Sequence, residues 1–448
     1  MSMRLVDGLR ADRHSRIAFV GAGGKTSAMF SLARQLPGPV ICLNTAHLAV
    51  EQAQLANRHV IITHTGEVET AISSIEEGVI LLTGPADERG RLQGLTDQVA
   101  DEICGAADRL SLPVLVEADG SRLRPLKAPA AHEPPIPAWI THVVVTVGLS
   151  ALGKPLDEEH VFRPEIFASI SGAKMGTPIS LEHLIKVVTD PQGGLKNIPV
   201  HARKTLLANQ LDACSVSEAD LVSSLRTCLP AYDSILLGAV QNPPPNQVAW
   251  RHEGVGGVIL AAGESLRMGE VKQLLPWRGR PLVRRVAETA IAAGLNPVVV
   301  VTGAAADQVE AALTSLPVVI ARNDQWESGQ ASSVRSGIQA LPAGCGAAVF
   351  LLSDMPQVKP DLIKAELDLH SRESHPIIVP RVEGQRTNPA LFDRVTFAGL
   401  AALTGDTGGR ALFDRYPVRW LDWDSVSKPA DIDTPDDYRR LMEENDDD

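Results

Sequence analysis

The most constraining feature of the chain is the stretch Val258 to Pro276, VILAAGESLRMGEVKQLLP, where a short apolar run breaks into a loop of small, flexible and basic residues. Val258, Ile259 and Leu260 show no polar alternation, which fits a strand covered on both faces. Ala261, Ala262 and Gly263 then offer backbone N–H groups with little side chain around them, so that a ligand can approach the main chain. Arg267 and Lys272 follow, one a planar fork of donors and the other a point charge. A glycine-containing turn flanked by such cations suits a nucleoside triphosphate. The same residue types also make an ordinary strand-turn-helix with surface charges, since short glycine patterns are common.

A length of 448 residues allows two or three domains, each with its own core. Hydrophobic residues make up 44% and charged residues 21%, the balance of a folded globular chain. With a net charge of −12 there is no electrostatic reason to expect nucleic acid or an anionic membrane as partner. Anionic ligands must therefore be held by local clusters. Cys42, Cys104, Cys214, Cys228 and Cys345 form no C-x-x-C or Cys/His group, so neither a zinc site nor a disulfide framework is indicated. No apolar run approaches the roughly 18 residues of a membrane span, and the opening residues lack the apolar segment of a signal peptide. A cytoplasmic location is expected.

In the first half, Ile17 to Val20 is a buried-strand pattern that runs into GAGGKTS. Met29, Leu32, Ala33 and Leu36 then recur at the spacing of one helix face, which Pro37 and Gly38 stop. This is the order of a phosphate loop: Gly21, Gly23 and Gly24 open the turn, Lys25 meets phosphates, and Thr26 can place its hydroxyl on magnesium. Phe19 stands where the longer glycine pattern would begin, so the loop is the shorter G-x-x-G-K-T form. Val114 to Val116 ends in Glu117 and Asp119, strand-end acids able to reach a magnesium ion held by Thr26, or simply to shape a turn with Gly120. Leu126 to Pro137 is too rich in proline for a helix and reads as an extended loop carrying Lys127, His132 and Glu133. Val143 to Val147 is the next strand, and Asn209 to Asp212 is a short N-Q-x-D sequence that either reads a base edge or caps a helix.

Pro243 to Pro245 and the polar residues after them suit a stiff connector, and we divide the chain there into domains 1–245 and 246–448. Beyond the opening loop, helical stripes alternate with strands at Val298 to Val301, Val318 to Ile320 and Ala347 to Leu352, the pattern of a mainly parallel sheet covered by helices. The last of these strands runs into Asp354 beside Pro356. An isolated strand-end carboxylate suits magnesium, which takes only one or two protein carboxylates and completes its shell with phosphate and water. Asp431 and Asp433 fall on one face if their segment is extended, and Thr434 is equally able to cap the helix that Pro435 begins. Asn323, Trp326, Ser332 and Ser333 offer amide, aromatic and hydroxyl groups just before a helix.

The order LAAGxSxRMGxxKxLLPxxGxPL, completed by Gly279, Pro281 and Leu282, resembles the opening motif of nucleotidyltransferases, and most closely the molybdenum cofactor cytidylyltransferases of the MocA-like type. That resemblance spans about residues 256–438. It implies a Rossmann-like fold, a nucleotide site at Leu260, Ala261, Ala262, Gly263, Ser265, Ser332 and Ser333, and catalytic roles for Arg267, Lys272 and Asp354. It further implies magnesium on Asp354 and Asp433, from the LxDMP and DIDTPDDY segments, and acceptor contacts at Asn323, Trp326, Arg386 and Asn388. Asp406 and Arg410 join these as polar residues near the acceptor. Thr387 replaces the usual glycine and Asn388 the frequent histidine of the acceptor segment. The implied reaction transfers CMP from CTP to the phosphate of molybdopterin cofactor, with a sugar or isoprenoid phosphate as the alternative acceptor.

In the first half, VGAGGKTS, VEADGSRLRPLKAPAAHEPPIP, GLSALGKPLDEEHVFRPE and ANQLD together resemble the YqeC-type accessory family of selenium-dependent molybdenum hydroxylases, over roughly residues 10–240. This implies a maturation context with a molybdenum hydroxylase apoenzyme as partner and nucleotide binding, which the phosphate-loop order places, as ATP or GTP, at Gly21, Gly23, Gly24, Lys25 and Thr26, with Glu117 and Asp119 as its strand-end acids. A non-catalytic, nucleotide-sensing chaperone for cofactor delivery is the alternative from a different functional class. The expected architecture is α/β throughout, with a P-loop-like domain followed by a Rossmann-like one.

Overall fold

The computed structural model describes residues 3–73, 77–240, 248–424 and 431–443. One compact unit ends at His252 and a second begins at Glu253. The proline connector Pro243 to Pro245 and the acidic end from Glu444 lie outside the described residues.

The first unit is built on a nine-stranded sheet. Its strands are β1 (Arg16–Gly21), β2 (Val40–Asn44), β3 (Arg58–Ile61), β4 (Val79–Thr83), β5 (Val114–Glu117), β6 (His142–Gly148), β7 (Arg203–Asn209), β8 (Ser234–Gly238) and β9 (Val248–Glu253), in the spatial order β9-β8-β7-β6-β1-β5-β2-β4-β3. Pairings from β3 through to β8 are parallel. Parallel strands need crossovers and are covered on both faces, which explains why β1, β2, β4, β5 and β6 are so uniformly apolar. The helices supply that cover: α1 (Lys25–Gln35) packs Met29, Phe30 and Leu32 on one side, and α2 (Asp97–Leu110) packs Val99, Ile103 and Ala107 on the other. Phe19 is fully buried between strand neighbours. Position 19 is therefore sheet interior, and the loop starts only after Gly21.

The second unit carries an eight-stranded sheet of β10 (Val255–Ala261), β11 (Val298–Thr302), β12 (Val318–Arg322), β13 (Ala347–Leu352), β14 (Ile377–Val382), β15 (Gln385–Arg386), β16 (Ala390–Asp393) and β17 (Val418–Asp422). The order is β12-β11-β10-β13-β16-β14-β15, with β17 pairing β14. Strands β10 to β13 are parallel, as the alternation of strands and helices predicts. Strand β16 then runs antiparallel to both β13 and β14. Helix α3 (Leu282–Ala292) buries Val283, Val286, Ala287 and Ala290, and helix α4 (Gln330–Gln339) buries Ala331 and Val334 against the sheet. The central position of β10, between β11 and β13, brings its carboxyl end beside theirs.

Candidate functional site

In the second unit the loop after β10 is braced from within. Gln273, only 1% exposed, donates its side-chain amide to the carbonyls of Ala261 (3.3 Å) and Gly263 (2.8 Å). The Ser265 hydroxyl donates to the Gln273 side-chain oxygen (3.1 Å) and accepts from the Lys272 backbone N–H (3.3 Å). Ser265 itself has a φ of 61°, so the loop turns through a left-handed residue that these bonds hold in place. Ala261 and Ala262 are buried and Leu260 is half-buried, which leaves backbone rather than side chain to meet a ligand. A Cβ built on Gly263 meets nothing within 4 Å.

The acids and bases singled out in the sequence come together on this loop. The Lys272 ammonium donates to Asp354 and, at 3.1 Å, to Asp433; Arg267 donates to the other oxygen of Asp433 at 2.9 Å. The Ile432 backbone N–H donates to the Asp354 carbonyl (3.3 Å), which ties the late segment to the end of β13. Burial lowers the Lys272 pKa, yet the two carboxylates more than offset it and hold the ammonium above its ordinary value. Thr434 caps helix α5 (Pro435–Glu443), its hydroxyl accepting from the Asp437 N–H (3.3 Å), so cap and carboxylate occupy neighbouring residues.

Buried Asp354 and half-buried Asp433, both paired with Lys272, form a hard oxygen donor set, as magnesium requires. Among the described residues no group of three or more His, Cys, Asp or Glu could hold a metal, so phosphate and water would supply the remaining oxygens.

The other candidates form a second group. Asn323, nearly buried, donates to the hydroxyls of Ser332 (2.8 Å) and Ser333 (3.0 Å), so the three are bonded to one another and not to the carboxylates. Trp326 packs beside Gly303, whose missing Cβ would lie 2.9 Å from Trp326 Cβ and 2.8 Å from Ala262 Cβ. A cavity of about 430 Å³ opens there, lined by Thr302 to Gln308, Asn323 and Trp326. Asn388 reaches Met355 Sδ (3.6 Å), next to Asp354, whereas Arg386 lies exposed over the Phe413 ring (6.0 Å). The Asp406 carboxylate accepts from the Gln330 backbone N–H (3.3 Å), which makes it a cap of α4.

In the first unit the glycine loop wraps the start of α1. A Cβ at Gly23 would lie 2.2 Å from the Gly148 nitrogen, and one at Gly24 2.6 Å from Asn209 Nδ2, both at positive φ. Asn209, fully buried, bridges the Gly23 carbonyl (2.8 Å) and the Val240 N–H (2.9 Å). The Thr26 hydroxyl donates to Glu117 (2.6 Å) and accepts from Gln52 (3.1 Å). Lys25 curls back onto the Gly21 carbonyl (2.8 Å), with Asp119 at 3.4 Å and Glu117 at 3.8 Å. Burial raises the Glu117 pKa, against the opposing pull of Lys25. Both Asp119 oxygens accept from the Gly21 N–H (3.1 Å), and Lys127 joins Asp119 (2.8 Å) to Glu133 (2.9 Å), which Arg163 clamps through both oxygens at 2.7 and 3.0 Å. Burial raises the Glu133 pKa, but Arg163 and Lys127 outweigh it and pull it down to about 2. His132 is exposed.

Gln273, Gln52 and the bridging role of Asn209 escaped the sequence reading. Their only signal is an amide beside a glycine motif, and their partners are set by the fold.

A profile of the MobA-like NTP transferase domain matches residues 257–420, and one of the YqeC protein matches residues 17–165. The chain is 31% identical to the YqeC protein of Escherichia coli (strain K12) over 251 residues, covering 52% of this chain and 90% of that one. It is 34% identical to a protein of Paenarthrobacter nicotinovorans called nicotine blue oxidoreductase over 198 residues, 42% of this chain and 96% of the relative. It is 32% identical to the purine catabolism protein PucB of Bacillus subtilis (strain 168) over 204 residues, 42% and 96% respectively.

Proposed function

Since the chain belongs to the YqeC family through its first half and to the MobA-like NTP transferases through its second, we propose that the second unit transfers CMP from CTP to the terminal phosphate of molybdopterin cofactor, releasing pyrophosphate, while the first binds ATP or GTP. The observation that carries this reading is the convergence of Arg267 and Lys272 on Asp354 and Asp433 at the mouth of the β10 loop. Cytosine rests on the LAAG opening at Leu260 to Gly263, and the acceptor on the molybdenum context of the resemblance.

The acceptor phosphate is already a nucleophile, so the protein's task is to hold it in line with the α-phosphorus and to neutralise charge as pyrophosphate leaves. The backbone of Ala261 to Gly263 lies open to the triphosphate. Lys272 and Arg267 exchange their carboxylate partners for phosphate oxygens. Asp354 and Asp433 would hold magnesium, which supplies charge neutralisation between the phosphates when bound. Asn323, Ser332 and Ser333 are a buried, mutually bonded support for Trp326 and the cavity beside it, where the base or the pterin is received. Asn388, in contact with Met355 beside Asp354, would touch the acceptor.

In the first unit, Gly21, Gly23, Gly24 and Lys25 would hold phosphates, and Thr26 with Glu117 would hold the metal that accompanies them. Asp119 is already committed to Gly21 and Lys127, which makes it a positioning residue. The names of the relatives point to different acceptors and chemistries, so the substrate test must be open. Purified protein is incubated with molybdenum cofactor, or with sugar and isoprenoid phosphates, and with each of CTP, GTP, UTP and ATP, and pyrophosphate release is measured. CTP with the cofactor is expected to be fastest. Asp354→Asn is expected to lower turnover by about 100-fold or more with an unchanged unfolding midpoint. Pyrophosphate release that survives the change removes Asp354 from the reaction.

A further inference from the structure

The first unit holds a cleft of about 450 Å³ above its glycine loop, lined by Gly23 to Ser27, Phe162, Arg163 and the segment Gly120 to Arg124. Its charges do not cancel. Lys25, Lys127 and Arg163 are matched by Glu117, Asp119 and Glu133, and Arg91 is matched by Asp87. Among the described residues Arg122 and Arg124 have no carboxylate partner. We propose that Arg122 and Arg124 bind phosphate, and that the ligand of this cleft is a nucleoside di- or triphosphate whose outer phosphates they clamp. The proposal rests on reading the glycine loop as a nucleotide site.

Three observations support it. The arginine segment is fixed to the glycine loop along its length: Asp119 accepts from the Gly21 N–H, the Arg124 carbonyl accepts from the Gly23 N–H (3.2 Å), and Lys127 holds the Gly120 carbonyl (2.8 Å). The backbone that carries its cations is therefore placed before any ligand arrives, which lowers the ordering cost on binding. The backbone is held in an unfavourable form, with Arg122 at φ 52° and Leu123 at φ 61°, and Leu123 is 88% exposed, so no packing of that side chain offsets the strain. The Arg122 guanidinium rests 5.0 Å from the Phe162 ring centre, a contact that leaves its donors free. The size of the cleft suits one nucleotide-sized ligand rather than two. Lys25 and the start of α1 already suffice for one phosphate; two further guanidiniums at the same opening call for more anionic oxygens.

The test uses the full-length protein and hydrogen exchange read on peptides covering residues 20–30, so that only this unit is observed. Protection is titrated with AMP, GMP, ADP, GDP and non-hydrolysable analogues of ATP and GTP. Arg122→Ala and Arg124→Ala are each expected to weaken the triphosphate analogue by about tenfold and to leave the monophosphate unchanged, with partial rescue by Arg124→Lys. Lys25→Ala is expected to weaken all of them. If the double arginine variant keeps the wild-type ratio of triphosphate to monophosphate affinity while Lys25→Ala still weakens protection, the clamp is overturned and the nucleotide site stands. If no nucleotide protects the loop, the nucleotide site itself falls, and the clamp with it. Both arginine side chains are at least partly exposed and make no ion pair, so unchanged unfolding midpoints are expected and serve as the control.

Discussion

At the scale of single residues, Lys272 is held between two carboxylates, the state from which the proposed phosphate binding would start. Asp354 and Asp433 hold it charged and half-buried, so the site carries no uncompensated carboxylates before substrate arrives. Glu133 does the same in the first unit for Lys127 and Arg163, and its titration gives a pH prediction. Its folded-state pKa falls from the usual 4.5 to about 2, so its contribution to stability is complete above pH 4.5 and is lost as the pH drops from 4.5 towards 2. Wild type and Glu133→Gln should therefore differ most above pH 4.5, and their unfolding midpoints should converge near pH 2. A gap that stays constant through that window would show that the carboxylate is not titrating with its cations. Gly263 is a different case: no atom of the protein crowds its missing side chain, so nothing in the protein itself requires glycine there.

At the scale of elements, the strand ends decide what can meet. Asn209 at the end of β7 reaches across to the glycine loop after β1, although β6 lies between them in the sheet. Asn209→Ala leaves the Gly23 carbonyl and the Val240 N–H without this partner and should cost about 1–3 kcal/mol, read by denaturant unfolding, together with weaker nucleotide protection of the loop. The sequence made β1, β10, β11 and β13 legible, because an uninterrupted apolar run ending in glycine or aspartate is a local signal. Phe19 is legible in the same way once the strand is seen to continue through it. Pairing is not local. Lys272 lies 82 positions from Asp354 and 161 from Asp433, and only the order of strands brings the three together. The antiparallel β16 and the clamp of Glu133 by Arg163 were hidden for the same reason. Trp326 and Arg386 carry the right chemistry in sequence, but tertiary contacts decide that one meets Ala262 through Gly303 and the other lies on Phe413.

At the scale of the molecule, each unit has its own sheet and its own buried clusters, with Phe19, Phe30 and Phe167 in the first and Val283, Ile259 and Val349 in the second. On the proposed reading both sites receive polyanions within a chain of net charge −12, and would do so through local cations rather than a broad basic surface. Strand β9 gives the division a practical side. It ends at Glu253, a single residue before β10 begins, and it carries Trp250, fully buried among the first unit's residues, and Val248, bridged to Met3. The first sheet thus takes its edge strand from the far side of the proline-rich stretch. A shortened chain ending at His252 should elute from gel filtration as a single discrete species. One ending before Val248 leaves β8 as a bare edge with unpaired N–H and C=O groups, an invitation to self-association, and should elute as aggregate. If the chain is divided between two expression vectors, the cut expected to leave the first sheet whole is at Gly254.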